Sequence, residues 1–307
     1  MRPIGHAVLL CLFSLLLASC GGGGGGGNGQ DTGDLPEAPY KVHDLLLAPA
    51  STGVYVAAHR GAHASFPENS LAAIREAARL GADFAEVDVR LTKDEALVLM
   101  HDESLSRTTG VDADVSSLTY AQIQDQTLLG SDSSNPETLR VPTFAEAEAL
   151  ARELGIMLYV DMKTARVDLV ADAVKAGAYY EVSLLHATPD QASQLHARDP
   201  QLLLMPRLQT LAELNTIIAA LPETRIVQLG QDLPDAGFRA AFCAAARDAG
   251  IKVQQNVLDI SGDLAASLGN YSVWKGFVDA GVWLLQTDKP ALLVPKARKF
   301  RLTGQFP

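Results

Sequence analysis

One pattern recurs along the chain and limits what it can fold into: a helix that ends in glycine, an apolar strand, then polar residues. It occurs at Ala78-Arg79-Leu80-Gly81 ahead of Glu86 and Asp88, and at Arg152-Glu153-Leu154-Gly155 ahead of Asp161 and Lys163. It returns at Arg247-Asp248-Ala249-Gly250 ahead of Asn256 and Asp259, and at Val278-Asp279-Ala280-Gly281 ahead of Gln286, Thr287 and Asp288. Buried strands alternating with helices form a parallel sheet. Polar residues gathered at strand C-terminal ends fit either a (β/α)8 barrel or an open doubly wound sheet. The length suits the barrel, and no phosphate-binding glycine fingerprint follows the first apolar run, 54–58. Further strands are predicted at 182–185, 202–205 and 225–229. Counting the hairpin return at 96–100, nine candidates compete for eight places, and that return is assigned outside the barrel.

The hairpin concentrates chemistry. Residues 84–89 alternate, which sets Glu86 and Asp88 on one face of a strand. Thr92-Lys93-Asp94-Glu95 turns the chain, and 96–100 leads back to His101-Asp102. So short a connection joins only antiparallel strands. A turn centred near Asp94 returns His101 beside Val87, between Glu86 and Asp88. A one-residue slip decides which face His101 shares, and the sequence leaves that register open. In one register two carboxylates and an imidazole converge, which suits a hard divalent cation with a general acid or base beside it.

Other candidates sit at element ends. His59 closes the run 54–58; two strand-end imidazoles that titrate near neutrality can divide the acid and base roles. Arg60 offers a planar fork to phosphate oxygens, and Lys163 a point charge on the same face as Asp161. The plainer readings are structural histidines and ion pairs. Pro67-Glu68-Asn69-Ser70 opens a helix that Asn69 or Ser70 can cap, with Glu68 as an acid at its N-terminus. His186 ends a strand and can face the same site. Residues 103–141 are rich in Ser, Thr, Asp and Gly and read as a surface excursion over the barrel mouth.

Taken in order, His59-Arg60-Gly61, Pro67-Glu68-Asn69-Ser70, Glu86-Val-Asp88-Val89, Thr92-Lys93-Asp94, Val98-x-x-His101-Asp102 and Arg107-Thr108-Thr109 resemble the glycerophosphodiester phosphodiesterases. The likeness extends more weakly to Pro290. It implies an α/β fold, a (β/α)8 TIM barrel of the PLC-like phosphodiesterase type, with a short insertion after the His101-Asp102 hairpin strand. It implies one divalent metal ion, Ca2+ or Mg2+, on Glu86, Asp88 and Asp161. It makes His59 and His101 the catalytic pair, and Arg60 and Lys163 the substrate-binding cations. Glu68 becomes a partner of the metal ligands or a ligand itself. Glu95 departs from the family's turn glycine. Asp161 stands where the family often has glutamate, although the related spider-venom phospholipases D share this Asp-x-Lys. Asn256 falls where many relatives carry an aromatic residue. Thr287-Asp288-Lys289-Pro290 matches the family's ending and reads as structural.

The N-terminus carries an address. Arg2, the apolar residues 7–18 and Leu17-Ala18-Ser19-Cys20 resemble a bacterial lipoprotein signal, too short to span a membrane. The expected organisation is a signal peptide at 1–19, a lipidated tether and linker at 20–50 beginning with Gly21 to Gly27, and a catalytic domain at 51–307. The linker leads to a short docking segment at Leu45-Leu46-Leu47. Gly21 after Cys20 follows the sorting pattern for an outer-membrane anchor facing the periplasm. Cys243 is then the only other cysteine outside the signal, so no disulfide framework exists within one mature chain. The formal charge of −11 falls to −12 once residues 1–19, with Arg2 and no acid, are removed. An acidic body argues against nucleic acid as a partner and requires local positive charge at any phosphate site. The expected reaction is metal-dependent hydrolysis of a glycerophosphodiester to sn-glycerol 3-phosphate and an alcohol. The alternatives are lysophospholipase D-like hydrolysis of single-chain lipids and an inactive binding lipoprotein.

Overall fold

A computed structural model describes residues 40–48, 53–230, 235–258 and 260–307. The expected signal peptide, Cys20 and the tether up to residue 39 lie outside the described residues. The strands are β1 (Tyr55–Ala58), β2 (Phe84–Leu91), β3 (Leu97–Leu99), β4 (Met157–Met162), β5 (Ser183–Ala187), β6 (Leu203–Leu208), β7 (Ile226–Leu229), β8 (Lys252–Asn256) and β9 (Leu284–Thr287). Because β1 pairs in parallel with both β2 and β9, the ring β1-β2-β4-β5-β6-β7-β8-β9 closes on itself. The hairpin return, β3, pairs antiparallel with β2 and stays outside that ring. The fold is a (β/α)8 barrel.

Strand alternation builds two apolar layers. Tyr55, Phe84, Met157, Tyr159, Leu184, Met205, Ile226 and Trp283 pack together as the lower barrel interior. Val56, Val87, Val89, Val160 and Leu185 face the other way and meet the surrounding helices through Ile74, Phe144, Val170 and Leu293. The helix Tyr40–Leu47 closes the N-terminal end of the barrel. Its Leu46 is 1% exposed and joins the interior cluster. The Lys252 ammonium donates to the carbonyls of Leu46 (2.8 Å) and Ala48 (2.6 Å), where a helix C-terminus favours a cation. The docking segment read from the sequence is therefore a two-turn helix bolted to β8.

Local signals position the upper loops. Ser70, not Asn69, caps the helix Leu71–Leu80, and Gly81 ends it at φ 82°. Thr143 and Glu146 form the expected capping box on Phe144–Leu154. At the hairpin turn Glu95 adopts the left-handed conformation that favours glycine, φ 60°. The stretch between β3 and Phe144 is more than polar cover. Met100, Leu105, Val115, Ile123, Leu128 and Val141 give it a small buried core of its own. No helix among the described residues is long and apolar enough to cross a membrane.

Candidate active site

The C-terminal strand ends surround a cavity of about 290 Å³ lined by His59, Arg60, Glu86, Asp88, His101, Asp161 and Lys163. A larger groove of about 480 Å³ lies at the opposite end beside Leu46 and Leu47, but it lacks a carboxylate cluster. Strand register explains the convergence. Asp88 on β2 sits level with Asp161 on β4, and Asp161 level with His186 on β5; Glu86 lies one inward-facing step below Asp88. Glu86, Asp88 and Asp161 present oxygens that all lie within 4.8 Å of one another.

Three carboxylates this close repel one another unless cations share the space. Burial, then the charges of Asp88 and Asp161, push the Glu86 carboxyl well above the usual range. Burial alone would also raise Asp161, but His186 and Lys163 outweigh it and hold that group low. Lys163 Nζ lies 2.6 Å from Asp161 Oδ2 and 3.4 Å from Asp88 Oδ1. Asp88 Oδ1 is buried with no hydrogen-bond partner. An all-oxygen set with a buried carboxylate atom that accepts no hydrogen bond fits a hard divalent cation.

The supporting contacts explain the motifs. Asn69 donates to Asp88 Oδ2 (2.9 Å) and accepts from the Asp88 backbone amide (3.1 Å), so it ties both the side chain and the main chain of Asp88. Arg60 turns its own amide onto Glu86 Oε2 at 2.8 Å by adopting φ 51°. Its Nε lies 3.5 Å from Asp88 Oδ2. Gly61 follows at φ 75°, and a Cβ there would sit 2.7 Å from the Ala73 backbone. Glu68 stands apart from the acidic cluster. It accepts from Arg60 (3.0 Å) and from Arg107 (2.7 Å to each carboxylate oxygen), and these two cations overcome burial to lower it.

The histidines share one arrangement. His59 Nδ1 lies 2.8 Å from Asp288 Oδ1, and His101 Nδ1 lies 2.7 Å from Asp102 Oδ1. A carboxylate on Nδ1 fixes the tautomer and leaves Nε2 for chemistry; His59 Nε2 is 3.9 Å from Glu86 Oε2. The hairpin register places Met100 opposite Asp88, so continued pairing would put His101 on the helix-covered face with Val87. β3 instead ends at Leu99, and the bend that follows brings His101 to the cavity. His186 also lines the cavity, 2.7 Å from Gln228 Oε1 and 3.5 Å from Asp161 Oδ1. His63 lies outside it, 3.7 Å from Asp288.

Sequence reasoning passed over four contributors. Asp288, read as structural, is the partner of His59. Asp102 holds His101, and Arg107 clamps Asp102 (2.6 Å) and Glu68 together. Arg207 on β6 lines the cavity. The motifs Arg107-Thr-Thr, His101-Asp102 and Thr287-Asp288-Lys289-Pro290 contain the first three; Arg207 had no signal beyond strand-end position.

Known proteins bear on this geometry. The family model of the glycerophosphoryl diester phosphodiesterases matches residues 59–262. A glycerophosphodiester phosphodiesterase of Caldanaerobacter subterraneus is 37% identical over 111 residues, covering 36% of this chain and 45% of that protein. The aligned stretch spans about half or less of the curated relatives' own length. Among solved structures, a glycerophosphoryl diester phosphodiesterase from Parabacteroides distasonis superposes with TM-score 0.73 at 20% identity, covering 87% of this chain and 93% of that one. A phosphodiesterase from Oleispira antarctica, solved with the product sn-glycerol-3-phosphate, gives 0.61 at 21% identity over 80% of this chain and 97% of its own. Such identities speak for the fold, whereas the family match covers most of the chain, including every strand end that carries the acidic cluster and both histidines. The chain belongs to the glycerophosphoryl diester phosphodiesterase family.

Proposed function

We propose that the protein hydrolyses glycerophosphodiesters to sn-glycerol 3-phosphate and an alcohol. The observation that carries this reading is the cluster of Glu86, Asp88 and Asp161 beside two imidazoles, each backed by a carboxylate on Nδ1. Glu86, Asp88 and Asp161 would hold one divalent cation, Ca2+ or Mg2+, which would supply positive charge to the phosphoryl oxygens. Arg60 and Lys163 add fixed positive charge where negative charge grows. His59 and His101 act as an acid–base pair. One Nε2 takes the proton of the attacking hydroxyl as a new P–O bond forms. The other gives a proton to the alkoxide as the bond from phosphorus to the alcohol breaks. With water attacking, the net change is one water consumed, one phosphomonoester and one alcohol released. With the substrate's own glycerol hydroxyl attacking, a cyclic phosphate forms first and water opens it to the same products.

The same reading places residues 1–19 as a cleaved signal and Cys20 as a lipidated anchor in the cell envelope, facing the periplasm. Leu17-Ala18-Ser19-Cys20 and the glycine run after it support this; acylation of the full chain that is lost in Cys20→Ser is its test. For the activity, the test is release of glycerol 3-phosphate from glycerophosphodiesters by the domain, before and after EDTA and with Ca2+ or Mg2+ restored. No turnover by folded, metal-supplied protein would overturn the reading.

A further inference from the structure

Across the cavity from the acidic cluster, the wall built by β6 to β9 has a different character. It presents Arg207, Gln228, Asn256, Leu258 and Gln286. Among the described residues of this wall, none that lines the cavity is a carboxylate; Asp288, just past the end of β9, is paired with His59. Apart from the three histidines, the only aromatic side chain among the described residues lining the cavity is Tyr159, which is buried and accepts a hydrogen bond from Gln228 Nε2 at 3.0 Å. Gln286 is 3% exposed, and its amide oxygen has no hydrogen-bond partner. The Arg207 side chain is exposed at the mouth with no ion pair among the described residues.

We propose that this wall selects the alcohol of the diester: it accepts an uncharged, hydroxyl-rich alcohol and disfavours an ammonium. The inference rests on the diesterase reading above. Hydroxyls match what the wall offers, since an O–H can donate to Gln286 Oε1 and accept from the guanidinium or the amides. A trimethylammonium has no hydrogen to donate and is recognised through aromatic faces or carboxylates, and the described residues of this wall that line the cavity offer neither. Any ammonium also meets the like charge of Arg207. At an exposed mouth that repulsion is screened, so it amounts to about a five- to tenfold effect on kcat/KM, strongest at low salt.

The test compares kcat/KM for glycerophosphoglycerol and glycerophosphoinositol with that for glycerophosphocholine and glycerophosphoethanolamine, at low and high salt. Wild type, Arg207→Gln and Arg207→Lys are assayed. The expected result is a preference of at least fivefold for the polyol diesters that shrinks with salt, falls at least threefold in Arg207→Gln and is retained in Arg207→Lys. Turnover with equal or greater preference for the ammonium diesters, or a ratio unmoved by Arg207→Gln, overturns the inference and leaves the diesterase reading standing. Hydrolysis of none of the four diesters overturns both.

Discussion

His59 and Asp288 are separated by 229 positions, yet the Nδ1 of one lies 2.8 Å from a carboxylate oxygen of the other. Closure of the barrel makes the contact: β1 ends at Ala58 beside Thr287 of β9, so the next residue of each strand shares one corner of the mouth. Burial opposes the charge on Asp288, but hydrogen bonding and attraction to His59 keep its carboxyl below the ordinary range.

That pairing predicts a specific loss. Asp288→Asn removes the carboxylate charge and lets an amide N–H face His59 Nδ1, which favours the wrong tautomer, and kcat should fall on the order of 10²-fold with the thermal midpoint nearly unchanged. Asp102→Asn should act the same way through His101. Steady-state kinetics beside a melting curve separates this from unfolding; a kcat within twofold of wild type for both variants would dismiss the paired arrangement.

Metal affinity should depend on a residue that is not a ligand. Asn69 holds Asp88 through two hydrogen bonds. In Asn69→Ala the carboxylate loses its hydrogen bond from the amide nitrogen and the Asp88 backbone N–H loses its acceptor, and affinity for Ca2+ or Mg2+ should drop about 10- to 100-fold by calorimetry. Asp88→Asn should abolish measurable binding. Equal affinity in Asn69→Ala and wild type would show that the support is not needed.

Glu148 gives a pH signature in stability. It is fully buried, accepts one hydrogen bond from Ser183 Oγ at 3.0 Å, and leaves its other oxygen unpartnered. Burial pushes its carboxyl up to about 8. Folding therefore retains a proton that the unfolded chain has released, so this contribution is fully present below about pH 4.5 and is lost as pH rises through 8. Between pH 5 and 8.5 the loss is on the order of 3 kcal/mol. Denaturant unfolding of Glu148→Gln should lack that slope and show higher stability than wild type at pH 8.5. Parallel pH profiles for the two proteins would contradict the assignment.

The hairpin turn carries a small strain. Glu95 sits at φ 60° with an exposed ion pair to Arg166 at 2.9 Å. The left-handed conformation costs a non-glycine residue about 1 kcal/mol and an exposed pair returns little of it. Glu95→Gly should thus raise stability by about 0.5 kcal/mol without altering kcat; destabilisation on urea unfolding would assign the pair a larger role.

Much of this architecture can be read in the chain because the relevant signals are local. Gly81, Gly155, Gly250 and Gly281 mark where helices stop, and the polar ends that follow are the barrel mouth. Glu86 and Asp88 declare a shared face by their spacing alone. Other features depend on closure or on where pairing stops. Asp288 has no local mark as a partner of His59, because only the β1–β9 contact brings them together. The hairpin register does not place His101 in the cavity; the end of the ladder at Leu99 does. Arg107 joins Glu68 to Asp102 across two loops that no periodicity relates. The buried cluster after β3 is concealed by its composition, since a few apolar residues are spread thinly among Ser, Thr and Asp.

The helix Tyr40–Leu47 sets the mechanics of the whole domain. The chain enters at the end of the barrel opposite the mouth, through a segment whose Leu46 is sunk among Tyr55, Phe84 and Trp283 and whose last carbonyls grip Lys252. Tension arriving from the N-terminal side is borne there, by the floor of the barrel. The loops that hold His59, His101 and the acidic cluster are out of that line of force. The anchor proposed at Cys20 would therefore pull on the floor of the barrel rather than on the loops at its mouth.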